Sequence, residues 1–203
     1  MSASESESMT SYTTHLSEML LATEISGRDG ATSSLDDGTN AAVEMLLAVA
    51  PVGAKVMLVG NGGSAAIVSH MHNDICKAVG LRGMVFNETP LLTALTNDDG
   101  YEGAFEQCVR LWANRGDLLV AVSSSGKSEN ILRAVRAATE LGAGTLTLSG
   151  FARGNPLRQL GDLNFYVPSD QYGYVELAHS VLGHCITDTA VAQVASKAAS
   201  AAK

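Results

Sequence analysis

Residues 55–65 read KVMLVGNGGSA, and this stretch decides the fold. Its first six residues are an apolar run that ends in glycine, which is typical of a buried β-strand. The glycines that follow allow positive φ and let the backbone come close to a ligand. Residues 64–80 then have helical spacing, and a helix N-terminus offers unpaired N–H groups and a positive dipole end. The stretch therefore predicts a βα unit with an anion site between strand and helix.

The alternation of strand and helix continues along the chain. Four further apolar runs follow, at residues 84–87, 117–122, 144–149 and 163–168. Amphipathic helical stretches separate most of them, at residues 89–96, 101–114 and 128–142. Buried runs that alternate with helices indicate βαβ units. We therefore predict an α/β fold, a three-layer αβα arrangement around a five-stranded parallel sheet.

Helical segments flank this core. Apolar spacing predicts helices over residues 10–25 and 34–50 before the first strand, and one long helix over 171–196 after the last. We expect a single domain over residues 10–196. Its predicted parts are two N-terminal helices (10–53), an α/β core (54–170) and the C-terminal helix (171–196), with a disordered tail at 1–9 and a frayed tail at 197–203.

Composition excludes several classes of function. The 203 residues carry a net charge of −8 and only 13 Lys and Arg with no basic run, which disfavours binding to nucleic acid. No stretch approaches about 18 uninterrupted apolar residues, so we expect no membrane span. The first ten residues lack the basic and apolar regions of a secretory signal. Cys76, Cys108 and Cys185 are too few for a disulfide framework and are expected to fill helix–sheet packing, so a cytoplasmic protein is expected.

A second loop, like the first, leads from a predicted strand to the N-terminus of a predicted helix. Residues 123–128 read SSSGKS, follow the strand at 117–122 and open a helix. Serines are also good N-caps, so capping and turn chemistry explain either loop alone. Two such loops on one sheet edge favour a small phosphorylated metabolite, held by hydroxyl and backbone N–H groups.

Nucleotide cofactors fit the loops less well. Residues 60–65 match G-x-G-x-x-A, a dinucleotide fingerprint that is weak by itself, and no acidic residue stands about 20 positions later to bind a ribose. The loop at 123–128 lacks the upstream glycine of a P-loop. We therefore expect no nucleotide cofactor.

Two helices carry polar residues at helical spacing. His70 and Asp74 are four apart, and Glu176 and His184 are eight apart. Imidazole and carboxylate groups suit zinc and neighbouring metals, and the same groups can transfer protons. Such side chains on a helix surface are more often simply solvated, which is what we expect for His72, Asn73 and His179.

Residues 97–100 read NDDG between two predicted helices. An N-cap followed by a turn explains this stretch. As a functional residue, Asp98 would accept hydrogen bonds from sugar hydroxyls.

Taken together, GNGGSA, a helical His-x-x-x-Asp, Thr-Asn-Asp, SSSGKS and a late Glu and His resemble the SIS (sugar isomerase) family. More narrowly they resemble its phosphoheptose isomerases, over about residues 10–195. The resemblance implies a flavodoxin-like sheet, a cytoplasmic homotetramer with active sites at subunit contacts, and one Zn²⁺ per subunit. It also implies conversion of sedoheptulose 7-phosphate to D-glycero-D-manno-heptose 7-phosphate through an enediol, feeding heptose biosynthesis for lipopolysaccharide or capsule.

The same resemblance assigns the site residues. It implies substrate binding by Asn61, Gly62, Gly63, Ser64, Asp74, Asn97, Asp98, Ser123, Ser124, Ser125, Ser128 and Glu176. It implies metal ligation by His70, Asp74, Glu176 and His184, with Asp74 as base and His184 as acid. Whether this pair acts as ligands, as acid and base, or as each in turn stays open.

Two residues depart from the family pattern. Asp74 stands where Glu is common, which retracts the carboxylate by about 1.5 Å, and Glu176 stands where Gln is usual. The alternative to an enzyme is a non-catalytic SIS protein, either a sugar-phosphate sensor or an adaptor like a replication-initiation regulator. The four ionisable residues on the two helices favour the enzyme.

Overall fold

The computed structural model describes residues 8–201. The N-terminal elements are α1 (Met9–Leu21), β1 (Glu24–Gly27), β2 (Thr32–Ser33) and α2 (Leu35–Leu47). The core comprises β3 (Val56–Gly60), α3 (Gly63–Asp74), β4 (Gly83–Val85), α4 (Thr89–Asp99), α5 (Tyr101–Trp112), β5 (Leu118–Ser123), α6 (Glu129–Glu140), β6 (Gly144–Ser149) and β7 (Leu163–Tyr166). One long helix, α7 (Tyr172–Ala201), follows the core. A π turn (Ile75–Val79) extends α3, and a 3₁₀ turn (Leu157–Gln159) precedes β7.

Within the described residues the sheet has seven strands, in the order β2-β1-β7-β6-β5-β3-β4. The predicted α/β class is confirmed, and the five predicted strands form its parallel part. The predicted strand count is wrong, because β1 pairs antiparallel with β7 and β2 pairs antiparallel with β1. These two strands have four and two residues, too short to give a periodic signal.

The prediction of a helix over residues 10–25 is wrong at its end, because α1 stops at Leu21. Ile25 lies in β1 opposite Phe165, and its side chain is only 1% exposed. It packs so tightly against Gly38 of α2 that a Cβ built there would lie 2.5 Å from an Ile25 methyl group. Burial against α2 and pairing with the distant strand β7 outweigh the local helical pattern.

Side chains of the central strands alternate between two cores. Leu118, Val120 and Val122 of β5 face a core shared with α2, α3 and α7, while Leu119 and Ala121 face one shared with α5 and α6. The sheet is therefore the middle of three layers, as predicted, because parallel strands are apolar on both faces. None of the helices within residues 8–201 has the length and apolar character that a membrane span requires.

Three local predictions need correction. The predicted NDDG turn begins inside α4, which continues through Asp99. Residues 197–201 are helical, since α7 runs to Ala201 in a segment rich in alanine, the strongest helix former. Cys76 and Cys185 are exposed rather than packed between helix and sheet, while Cys108 is buried as predicted. Residues 1–7 of the predicted tail at 1–9 lie outside the described residues. Helix α1 begins at Met9, which the prediction had placed in that tail.

His179 was expected at the solvated surface, but it is fully buried on α7. Its Nε2 atom lies 3.2 Å from the carbonyl oxygen of Ser149 at the end of β6, and its Nδ1 atom has no partner among the described residues. Burial lowers the pKa of His179 to about 4. The neutral ring thus links α7 to the sheet edge that carries the loops. His72 is half-buried, with Nε2 3.2 Å from the carbonyl of Gly83.

The buried ring predicts acid sensitivity. An unfolded histidine takes up a proton near pH 6.5, whereas folded His179 does so near pH 4, so stability falls as the pH drops through this window. Between pH 7.5 and 5 the loss is about 2 kcal/mol in the free energy of unfolding. Urea unfolding measured at both pH values should show this fall in the free energy of unfolding for the wild type. In His179→Gln the part of the fall that comes from His179 should be absent.

Thr187→Ser is the matched control, because Thr187 is also buried on α7 but does not titrate. Thr187→Ser should lower the free energy of unfolding by the same amount at the two pH values. An unchanged pH dependence in His179→Gln would contradict the assignment.

Candidate functional site

The turn between β3 and α3 depends on glycine. Gly62 has φ +52° and ψ −122°, a conformation that other residues rarely adopt. A Cβ built on Gly60 would lie 2.7 Å from the backbone of Ser64, and one on Gly63 would overlap the carboxylate of Glu176. The first turn of α3 therefore packs directly on β3 and on α7, with its N–H groups at the sheet edge.

The serine loop, residues 123–128, crosses the same edge from β5 to α6. Gly126 has φ +63°, and a Cβ there would overlap the side chain of Asn155. The Asn155 amide donates to Ser149 Oγ and to the carbonyls of Gly150 and Ala152 at 3.0–3.1 Å. The buried Asn155 thus fixes the loop after β6 underneath the serine loop.

The two loops enclose a cavity of about 130 Å³. Its lining residues are Asn61, Ser64, Ser123, Ser124, Ser125, Ser128, Tyr172 and Glu176. The hydroxyl of Ser124 is buried without a hydrogen-bond partner among residues 8–201, which leaves it free for a ligand. Two helix N-termini and four loop serines form a cradle for an anion. The structure thus brings together seven of the predicted substrate-binding residues.

A network that the sequence analysis missed orients Asn61. Asn61 and the buried Asn130 of α6 exchange two side-chain hydrogen bonds of 3.0 and 2.9 Å. Tyr101 at the start of α5 donates its hydroxyl proton to Asn61 Oδ1 at 2.6 Å. One feature of the sequence pointed to this network: Asn130 is a polar residue next to the apolar Ile131 and Leu132 in the first turn of a helix.

Of two paired aromatic side chains, one lines the cavity. Tyr172 lines it, is 60% exposed, and stands 4.7 Å from Phe151 between ring centroids. Phe151 has φ +58°, the only positive φ outside glycine within residues 8–201. Its backbone is held by hydrogen bonds from the Tyr166 hydroxyl and to Ser169. Tyr172 thus brings an aromatic ring to the cavity, and the strained backbone of Phe151 lies beside that ring.

A second cluster lies farther along α3 and α7. Asp74 Oδ2 is 3.5 Å from His70 Nε2 and 3.5 Å from His184 Nδ1, and the two rings are 4.8 Å apart. The Asp74 side chain is 20% exposed, and Asn73 donates to its Oδ1 at 3.1 Å. We refer to His70, Asp74 and His184 as the triad.

The triad is a possible metal-binding group within one chain. Its three ligand atoms lie within 4.8 Å of one another. Ligands around one tetrahedral zinc ion are about 3.3 Å apart, close to the two 3.5 Å separations here. Three protein ligands also leave a position for a substrate oxygen.

The structure does not bring every predicted residue to one place. Glu176 lines the serine cavity, about 12 Å along α7 from His184 at 1.5 Å per residue, so it lies outside the triad. Asn97 and Asp98 are exposed on α4, where they bond to each other at 2.9 Å, and they line neither loop.

The negative charge of Glu176 in the serine cavity should weaken the binding of an anion there. Glu176→Gln keeps the shape of the side chain and removes a like charge. It should tighten binding of inorganic phosphate about tenfold, or ~1.4 kcal/mol, measured by calorimetry. Glu140→Gln changes the net charge equally but lies at the far end of α6, and it should leave the Kd unchanged. Equal or weaker binding in Glu176→Gln would show that its charge does not oppose the anion.

Comparisons with known proteins identify the family of this chain. The SIS domain family matches residues 26–150. The phosphoheptose isomerase of Burkholderia pseudomallei (strain 1710b) is 41% identical over 142 residues, 66% of this chain and 71% of that protein. That of Helicobacter pylori (strain P12) is 32% identical over 161 residues, 76% of this chain and 83% of that protein.

A solved structure extends the match over most of the fold. The phosphoheptose isomerase of Neisseria gonorrhoeae superposes with a TM-score of 0.78 at 26% identity, over 89% of this chain and 95% of that chain. The chain belongs to the SIS domain family, within its phosphoheptose isomerase group.

Proposed function

We propose that this protein is an aldose–ketose isomerase that converts sedoheptulose 7-phosphate to D-glycero-D-manno-heptose 7-phosphate. The observation that carries the proposal is the pairing of a serine-lined anion cavity with a carboxylate held between two imidazoles. The names of the relatives at 32–41% identity support this substrate. A non-catalytic sugar-phosphate sensor would need the cavity but would have no use for the triad.

The length of the substrate bears on how the two parts cooperate. Phosphorus and C1 of an extended heptose 7-phosphate are about 10 Å apart, at about 1.2 Å per bond. Asp74 lies about 15 Å along α3 from Ser64, at the cavity, so Asp74 of the same chain is beyond the reacting carbons. We infer that the serine cavity of one subunit works with the triad of another. Glu176 then joins that triad across the contact, completing the predicted ligand set.

Exposed apolar surface supports such a contact. Met9, Leu21, Leu177 and Val181, on α1 and α7, are 44–77% exposed. An apolar cavity of about 530 Å³ lies between α1, α2 and α7. Clustered apolar residues at a surface mark interaction sites. We propose a homotetramer in which these helices meet.

The chemistry follows from the triad. Asp74 removes a proton from C1 of the ketose while the C1–C2 double bond forms and the carbonyl oxygen at C2 takes a proton from His184. The resulting cis-enediol loses the O1 proton to His184 and gains a proton at C2 from Asp74, which leaves the aldehyde. His70 holds the Asp74 carboxylate from the other side. The serine cavity fixes the phosphate and spends its binding energy on orientation.

A zinc ion would add electrostatic stabilisation. His70, Asp74 and His184 would hold it, with Glu176 from the neighbouring subunit, and bound Zn²⁺ would polarise the carbonyl. We further propose that the enzyme acts in the cytoplasm and supplies heptose for lipopolysaccharide or capsule.

Active-site complementation tests the function and the shared site together. Asp74→Asn and His184→Ala should each lower kcat about 10²–10⁴-fold, because positioned proton transfer is lost. Ser125→Glu should abolish turnover separately by repelling the phosphate. When His184→Ala and Ser125→Glu chains are co-expressed, sites with an intact cavity and an intact triad re-form, and activity returns to about a quarter of wild type.

The control is co-expression of His184→Ala with Asp74→Asn, whose defects lie in one triad and do not complement. Absence of recovery in the first pair, with both variants folded, would place each site within one chain. Absence of turnover in wild type would overturn the proposed function itself.

A further inference from the structure

We propose a second anion-binding site, for a small phosphorylated compound, in a cavity of about 450 Å³ beside β1. Its lining residues are Ser26, Gly27, Arg28, Gly30, Thr32, Arg153, Arg158 and Gln159. Three of the eight arginines of the chain meet here, although the protein carries a net charge of −8. One guanidinium group can bind two phosphate oxygens at once, so three guanidinium groups in one concave site favour a ligand that carries phosphate.

Arg158 is held rigidly before any ligand arrives. Its side chain is 13% exposed, with the guanidinium carbon 4.6 Å from the centre of the Tyr166 ring. Its Nη2 donates to Glu24 at 2.8 Å, and its Nη1 donates to the carbonyl of Arg153 at 3.3 Å. Its backbone N–H donates to Asn155, which also supports the loop. This fixed position lowers the entropy cost of binding.

Arg28 approaches from the other side of the cavity. Its Nη2 lies 3.0 Å from Asp162 and donates to the hydroxyls of Thr139 and Thr145 at 3.0 and 3.3 Å. Gly27 and Arg28 stand at the amino end of β7, because Gly27 pairs with Leu163. These contacts connect the β1–β2 hairpin to α6 and β6.

Donors remain for a ligand. Within residues 8–201, no hydrogen bond uses Nε or Nη1 of Arg28, Nη1 of Arg153 or Nε of Arg158. Arg153 and Arg158 share one carboxylate, since both bond the same oxygen of Glu24 at 2.8–3.1 Å. The ion pairs set three positive guanidinium groups against the two carboxylates of Glu24 and Asp162. The carboxylate of Asp29 also lies in the hairpin, next to Gly27.

This cavity is separate from the serine cavity, with which it shares no lining residue. The serine loop follows the carboxyl end of β5, whereas Arg28 lies near the amino end of β7. Arg153 and Arg158 follow β6 and pair with Glu24, on the far side of β7 from β5. Neither the glycine turn nor the triad contributes to it. The site is therefore additional to the one that holds the substrate.

Calorimetry with inorganic pyrophosphate tests the site in the full chain. The background variant is Ser125→Glu, in which the serine cavity repels anions. We expect it to bind about one pyrophosphate per chain, and we expect Arg28→Gln or Arg153→Gln added to it to weaken binding at least tenfold. Arg153 is 76% exposed, so its replacement leaves the core intact.

Arg136→Gln is the matched control, since Arg136 pairs with Glu129 on α6 outside the cavity, and it should leave the Kd unchanged. Loss of all pyrophosphate binding in Ser125→Glu, or equal binding in the Arg28 and Arg153 variants, would overturn the proposal. Because the readout is binding rather than turnover, its failure is distinguishable from failure of the proposed isomerase activity.

Discussion

The contact between the first turn of α3 and its neighbours is the constraint on which the site depends. Gly60 allows α3 to start directly on the end of β3, and Gly63 makes room for the carboxylate of Glu176 on α7. Any larger residue at either position would push the helix away from the sheet edge. That shift would open the anion cavity and also move the triad, because His184 lies on the same α7 that packs against α3. One backbone approach therefore sets both halves of the site.

The cavity and the triad differ in the chemistry they offer. The hydrogen-bond donors of the cavity are hydroxyl groups and helix N-termini, and the buried hydroxyl of Ser124 has no hydrogen-bond partner within residues 8–201. The triad concentrates the titratable groups, with one carboxylate between two imidazoles. Binding of the phosphate in the cavity can thus orient C1 and C2 of the substrate, about 10 Å away, for proton transfer. The separation of the two parts along α3 and α7 is the physical reason to expect a site shared between subunits.

Much of this could be predicted from the sequence, because the decisive signals are local. The βα alternation predicted the parallel sheet, and the glycine and serine loops predicted an anion site at its edge. The family resemblance assigned seven of the residues around the cavity. Non-local effects account for the failures. Strand β1 forms because Ile25 fits against Gly38 and β7 offers a free edge. His179 is buried, and Asn130 reaches Asn61 only through the packing of α6. The three arginines beside β1 are scattered in the sequence, and only the fold gathers them.

Proton NMR of sedoheptulose 7-phosphate with the enzyme in D₂O tests directly whether this chain moves a proton between C1 and C2 of a phosphorylated ketose. The proton that Asp74 removes from C1 exchanges with solvent while the enediol is bound, so deuterium enters from D₂O. We expect aldose product with deuterium at C2, and no product with Asp74→Asn. Wild-type enzyme that yields neither product nor deuterium at C1 of the remaining ketose would contradict it.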